Sequence, residues 1–342
     1  MDKKIKYLDT VRAIAIILIV VGHTLVHSYH CKMVFKFIYS FHVPLFFILS
    51  GYLYKKESTF KNYFIKKFKR LMTPYFIWII IFTIIYLLFG KNVAKILNVN
   101  STFNVLELFK NIIYGIGKDN LLKQNSSLWF LPALFSMSIF FYFYINEKNS
   151  NRIIILKSII LLIIGMVSTK YLKIYLPWGI NTVLNAGILY YIGYIFNRYK
   201  IFSKQDKTNK YVIPLLITGG LAFYFNTTVM YIDYIYGNYL LMLVSSLSFS
   251  IIIFKISMLI NENSLLEYIG KSTMGILIFH KIIIVIFQTK LGFISSMLLN
   301  SNFIIELMLT IVVTIFSIVV SLEIYRFLIK IIPSSFGIKK QN

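Results

Sequence analysis

Along the whole chain, apolar runs of the ~17–25 residues that a helix needs to cross a bilayer alternate with short polar joints. Ten such spans are read at residues 8–28, 34–54, 71–89, 127–145, 153–169, 179–197, 211–226, 238–260, 271–289 and 303–331. A backbone in hydrocarbon must satisfy its own hydrogen bonds, and runs of this length do so as helices. The pattern therefore predicts an all-α fold: a polytopic integral-membrane bundle of about ten transmembrane helices, one domain over residues 1–342. No polar segment is long enough for a separate soluble domain. MDKKIK followed by an apolar run has the outline of a secretory signal. No small-residue cleavage site follows His23, so this stretch is expected to stay as the first helix.

The interruptions of the apolar pattern carry the chemistry. The first span, YLDTVRAIAIILIVVGHTLVH, holds Asp9 and Arg12 near one end and His23 well inside the other. Ionisable groups within a span are costly and mark functional positions by default. Eleven helical steps of ~100° bring Arg12 and His23 onto nearly the same face, ~16 Å apart along the axis. Asp9 and Arg12 are too far away to orient His23, so an orienting partner must come from another helix. The second span has His42 two residues before Pro44, and a proline inside a helix is expected to kink it. His42 reads either as a hydrogen-bonded core histidine or as a site residue.

Composition supports the membrane reading: 58% of residues are hydrophobic and only 14% charged, against about 25% charged in soluble domains. The net charge of +24 raises nucleic-acid binding as a class, but the basic residues do not form a stripe on a soluble fold. With the N-terminus inside, and with residues 255–271 and 326–340 at the inner span ends counted as inward, 23 of the 36 Lys and Arg fall in inward segments, 9 in outward ones and 4 elsewhere within spans. That bias places both termini in the cytoplasm, Arg12 near the cytoplasmic surface and His23 in the outer half. No nucleic-acid partner is expected. The single cysteine, Cys31, rules out an intramolecular disulfide framework.

The most basic joint, KKESTFKNYFIKKFKR, has Phe60, Tyr63, Phe64 and Phe68 at helical spacing. It reads as an amphipathic helix on the anionic leaflet or as a basic platform for an anionic cosubstrate. Arg70 closes it and sits at the inner mouth of the third span. Trp129 reads as a belt anchor or as a face for stacking a sugar ring. Asn181 and Asn185, one turn apart, are candidates to bridge helices. Asp233 reads as a solvated loop residue, and Glu323 with Arg326 as a helical ion pair. In the ninth span His280 and Lys281 point about 100° apart, so they cannot face one cavity. Histidines 23, 42 and 280 admit a zinc site or general acid–base work. None has the close spacing of a metal motif, and no metal is expected.

At these residues the chain resembles a family. LDTVRAIAIILIVVGH is similar to the opening signature of the acyltransferase-3 group of bacterial integral-membrane O-acyltransferases: an arginine, ten residues, then a histidine, here Arg12 and His23. FHVPLFFILSGY, RLMTPYFIW, SSLWFLPALF and GKSTMGILIFHK resemble its later signatures in order, and the likeness runs from about residue 7 to 331. Length without an appended soluble domain is similar to the fucose 4-O-acetylase type of sugar O-acetyltransferase.

The resemblance implies transfer of an acyl group, usually acetyl from cytoplasmic acetyl-CoA, to a hydroxyl of an exported or surface carbohydrate, lipid-linked or free, at the bacterial plasma membrane. His23 carries over as the catalytic histidine, either base or acyl acceptor, and Arg12 as its essential partner. Arg12 and Arg70 are the expected cofactor-binding cations, and His42 and Trp129 the expected substrate-binding residues. His280 lies in a matching signature without an assigned role. The competing classes are a transporter, flippase or polysaccharide polymerase, and a non-catalytic scaffold. A secondary transporter often shows internal repeats, and none is evident. The expectation that unites these residues is one wet cavity joining Arg12 to His23 through the bilayer.

Overall fold

The computed structural model describes residues 6–26, 28–97, 105–117, 122, 124–202, 208–260, 262–290 and 302–338. Its helices are α1 (Tyr7–Thr24), α2 (Lys32–Tyr39), α3 (His42–Tyr52), α4 (Phe60–Lys67), α5 (Thr73–Leu97), α6 (Val105–Tyr114), α7 (Phe130–Tyr144), α8 (Asn151–Tyr171), α9 (Ile180–Arg198), α10 (Val212–Phe225), α11 (Tyr239–Ile260), α12 (Ser264–Lys271), α13 (Thr273–Lys290) and α14 (Phe303–Ile331). Eight helical stretches are long and apolar enough to cross a membrane. The pair α12–α13, bent by 79°, makes a ninth, and the shorter apolar α10 occupies the seventh predicted span. The expected all-α membrane bundle is the observed one. Part of the connection between α5 and α7 lies outside the described residues; residues 105–114 of it form α6.

Two spans differ from the pattern. The second is broken into α2 and α3 at Ser40–Phe41 and is not kinked at Pro44. Pro44 falls in the first turn of α3, where backbone N–H groups have no intrahelical acceptor, so its missing donor costs nothing there. The third span starts early: Thr59 caps α4, its Oγ1 accepting from the Asn62 N–H at 3.3 Å. From there the helix runs through a π-helical turn, Phe68–Met72, into α5. The aromatic stripe of α4 does not lie on a leaflet as its main partner. Phe60 and Tyr63 pack on Tyr142, and Phe64 and Phe68 on Phe135, all from α7.

Between apolar helices in lipid, close packing and hydrogen bonds take over the role that the hydrophobic effect plays in water. The tightest crossing here is α3 on α9. A Cβ on Gly51 would stand 1.8 Å from the Tyr190 carbonyl oxygen, and one on Gly193 would stand 2.0 Å from that of Ile48. The reciprocal glycines let the two backbones touch and fix α3 in depth and rotation. Asn197 adds a bond from Nδ2 to the Tyr52 carbonyl at 2.6 Å. Asn185 bridges helices as expected, accepting from Ser168 of α8, whereas Asn181 turns back onto Ile174 and Leu176 of its own joint.

The first helix is the centre of the bundle. Two-thirds of its apolar window (67%) is buried, against 17% for the peripheral α8, and α3, α11, α12, α13 and α14 all pack on it. At its far end, the buried Glu306 carboxylate of α14 accepts the backbone N–H groups of Tyr29 and His30 at 3.0 and 2.8 Å, tying down the α1–α2 joint. The Glu323–Arg326 pair is exposed and long, 3.9 Å.

Candidate active site

Arg12 and His23 do share a face of α1, but they open into two cavities and not one. The first, of about 280 Å³, has Arg12, Lys67 and Arg70 among its walls. The second, of about 50 Å³, is walled by His23, His42, Ser127, Trp129, Tyr39 and Tyr231 together with apolar neighbours. Ile19, Phe130 and Leu277 line both. These three side chains, each nearly buried and each from a different helix, meet where a continuous passage was expected. The two chambers thus adjoin at an apolar strip to which α1 contributes Ile19.

Local structure explains the cations. Arg12 is ion-paired through Nη1 to the buried Asp9 one turn earlier, which holds one edge of its planar fork and leaves the rest for the cavity. The Asp9 backbone lies under α12, since a Cβ on Gly270 would be 2.0 Å from the Asp9 carbonyl oxygen. Arg70 sits within the π-helical turn, an element that often marks functional positions because one extra residue re-aims the side chains around it. Within the basic joint, Lys66 is engaged with Glu57, while Lys67, its ammonium 5.3 Å from the Tyr63 ring, and Arg70 line the chamber.

The histidine chamber is built in part by two breaks in helical regularity. The α2–α3 break places His42 in the first turn of α3, where its Nδ1–H donates to the Ile38 carbonyl at 2.9 Å. One edge of His42 is therefore structural, and the imidazole also lines the chamber beside Tyr39, with ring centroids 4.5 Å apart. His42 is thus a hydrogen-bonded histidine that also faces the cavity.

A 3₁₀ turn, Ser126–Trp129, leads into α7. Asn125 caps it by accepting from the Ser127 N–H at 3.1 Å, and its Nδ2 donates to the Ile278 carbonyl of α13 at 2.7 Å. That double anchor delivers Ser127 and Trp129 to the chamber and Phe130 to the strip that both chambers share. Trp129 is only 8% exposed, so it is a chamber wall and not a belt anchor.

The ring that packs on His23 from another helix is that of His280 of α13. Their ring centroids are 5.2 Å apart at a 45° tilt. His280 is fully buried behind His23, its Nδ1–H donating to the Ile276 carbonyl at 2.7 Å and its Nε2 without a hydrogen-bond partner. Lys281 turns away to bond Ser126, in keeping with the ~100° between adjacent side chains. Asp233 is partly buried and close enough to Tyr39 and Lys281 to act on them electrostatically, so it is not simply a solvated residue.

Sequence reasoning left His280 without a role, held Lys67 only as one residue of the basic joint, and passed over Asn125 and Ser127. The signals were present: an ionisable residue at mid-span, and an Asn ahead of two serines, a usual turn and cap pattern. Among the described residues, no group of three His, Cys, Asp or Glu side chains is arranged to hold a metal ion.

Arranged this way, the site can hold an anionic group among three cations and, in the adjoining chamber, present an imidazole to a hydroxyl. No curated protein and no solved structure matches the chain. The sequence profile of the acyltransferase domain, however, matches residues 5–326, which takes in α1, both chambers and nearly all of α14. A multi-pass bundle with this site and that match belongs to the acyltransferase-3 family and is an acyltransferase.

Proposed function

We propose that this acyltransferase moves an acetyl group from cytoplasmic acetyl-CoA to a hydroxyl of a surface or exported carbohydrate at the bacterial plasma membrane. The observation that carries the reading is the end-to-end arrangement of a cation-lined chamber and an imidazole-lined chamber along α1. Coenzyme A is polyanionic at one end and slender at the other. Arg12, Arg70 and Lys67 suit its phosphates, the arginines through their bidentate forks. The pantetheine arm is long enough to lead the thioester from there towards His23, along the ~16 Å of α1 between the two residues.

In this reading His23 takes the proton of the acceptor hydroxyl as its oxygen attacks the thioester carbonyl. The C–S bond breaks, the new ester C–O bond forms, and the proton leaves with the sulfur as free CoA thiol. A covalent variant, with the acyl group resting first on the imidazole, uses the same residues in two steps. Trp129 offers a flat apolar face to the C–H groups of a sugar, and His42 a polar edge to its hydroxyls. His280 acts through His23 by holding its ring.

The test is direct. Purified protein incubated with labelled acetyl-CoA should release CoA and label a carbohydrate acceptor, and His23→Ala should abolish both while leaving insertion and folding intact. Full activity in a well-folded His23→Ala protein would overturn the assignment. Mass spectrometry of surface glycans, with and without the protein, identifies the acceptor.

A further inference from the structure

Acyl transfer builds negative charge on the carbonyl oxygen of the thioester, and a fixed hydrogen-bond donor at that oxygen is worth about a hundredfold or more in rate. His23, which takes up a proton, cannot be that donor. The chamber in which it stands is poor in others. His42 and His280 each use Nδ1–H on a carbonyl four residues back, which leaves each with an accepting Nε2. The Tyr231 hydroxyl, another wall of the chamber, donates to the Met242 sulfur at 3.0 Å.

Ser127 is different. It is a wall of the same chamber and only 4% exposed, and among the described residues its Oγ has no hydrogen-bond partner. A buried hydroxyl left unpaired is costly, so such a group calls for an occupant that pairs with it. The backbone under it is fixed, since the Ser127 N–H donates to Asn125 Oδ1 at 3.1 Å. The hydroxyl of the preceding Ser126 is engaged by the Lys281 ammonium, which sets a positive charge one residue away. The same turn opens the 19-residue span Ser126–Tyr144, and the N-terminal end of a helix dipole is positive as well. An oxygen that gains negative charge is favoured at such a place.

We propose that Ser127 is a further catalytic residue, whose hydroxyl donates to the thioester carbonyl oxygen and holds the oxyanion that forms there. The inference rests on the acyl-transfer reading above and adds the group that meets the charge while His23 takes the proton. The acceptor oxygen bonds to the carbonyl carbon, its proton passes to His23, and the carbonyl electron pair moves onto the oxygen beneath the Ser127 O–H. The pair then returns, the C–S bond breaks, and the proton on His23 leaves with the sulfur. Ser127 keeps its own proton throughout and forms no ester.

Two measurements on the purified full-length protein test this. The first follows His23-dependent CoA release from acetyl-CoA, with a surface-glycan extract as acceptor. Ser127→Ala should lower kcat by about 100- to 1000-fold, with KM for acetyl-CoA changed by no more than about twofold. Ser127→Thr, which keeps the hydroxyl, should recover about tenfold or more of that loss. Ser127→Cys, a weak donor of similar size, should show the loss even if the alanine variant fails to fold. Tyr39 and Trp129 also bring donors to the chamber, and Tyr39→Phe and Trp129→Phe should each lower kcat by less than about tenfold. The second measurement needs no turnover. In His23→Ala protein saturated with acetyl-CoA, isotope-edited infrared difference spectra should show the thioester C=O stretch lowered, and adding Ser127→Ala should return it towards the value in water-free solvent.

Unchanged kcat in a well-folded Ser127→Ala protein, or one C=O frequency with and without the hydroxyl, would overturn the assignment and leave the transferase reading standing. An acetyl ester trapped on Ser127 would also overturn it, by making the residue a nucleophile. A larger loss of kcat in Tyr39→Phe or Trp129→Phe than in Ser127→Ala would place the donor elsewhere. No His23-dependent CoA release from the unaltered protein would bring down the acyl-transfer reading itself, and the role of Ser127 with it.

Discussion

At the scale of single residues, the site depends on imidazoles whose edges are given separate tasks. His42 and His280 each donate Nδ1–H to a carbonyl four residues earlier in the chain, at 2.9 and 2.7 Å. A carbonyl oxygen only accepts, so each ring keeps its proton on Nδ1 and leaves Nε2 as a lone pair. For His280 that lone pair lies in a fully buried position behind His23. His280→Asn keeps a donor near the Ile276 carbonyl and removes the ring face that His23 rests on. Misplacing a catalytic group by an ångström costs on the order of a hundredfold. The expected result is a kcat lower by about 10- to 100-fold, with KM for acyl-CoA changed by no more than about twofold. If stability fell but kcat held, His280 would be packing and nothing more.

At the scale of elements, the site is placed by irregularities that straight helices would erase: the α2–α3 break, the π-helical turn and the 79° bend between α12 and α13. Each irregular stretch is braced by a close backbone approach or an anchor. The Gly51–Gly193 contact sets α3, and with it His42, against α9. Gly51→Ala puts a methyl group 1.8 Å from the Tyr190 carbonyl oxygen, which backbone cannot accommodate by a rotamer change. Overpacking of this kind costs typically ~1–3 kcal/mol. Thermal unfolding in detergent should show a lowered midpoint for Gly51→Ala, and activity should fall with it as α3 shifts. An unshifted midpoint would mean that the two helices part freely, and that α3 is placed by something else.

At the scale of the whole molecule, the cation chamber and the imidazole chamber divide the length of one central helix, and the distribution of Lys and Arg gives that axis a direction. The bias predicts that residues 146–150 face the cytoplasm and residues 172–176 the exterior. Helix α8 separates these two joints. The single native cysteine suits a labelling test, because Cys31 is buried and its thiol is pushed above its ordinary range, first by burial and then by the nearby Glu306 carboxylate. In intact cells a membrane-impermeant maleimide should label Lys173→Cys and spare Lys148→Cys until the cells are opened. The reverse pattern would turn the molecule over and place the cations on the wrong side for a cytoplasmic donor.

Periodicity and span length, which depend on neighbours along the chain, were enough to read an all-α bundle and the position of nearly every helix. Helical geometry alone also put Arg12 and His23 on one face and kept Lys281 out of the direction of His280. What neighbours along the chain cannot encode is contact across it. The pairing of His280 with His23 and the meeting of Lys67 and Arg70 with Arg12 join residues tens to hundreds of positions apart. The docking of the α4 aromatics on α7 is of the same kind. Ile19, Phe130 and Leu277 are the clearest case: they are ordinary apolar residues in their own helices, and only packing three helices together makes them the lining shared by two chambers.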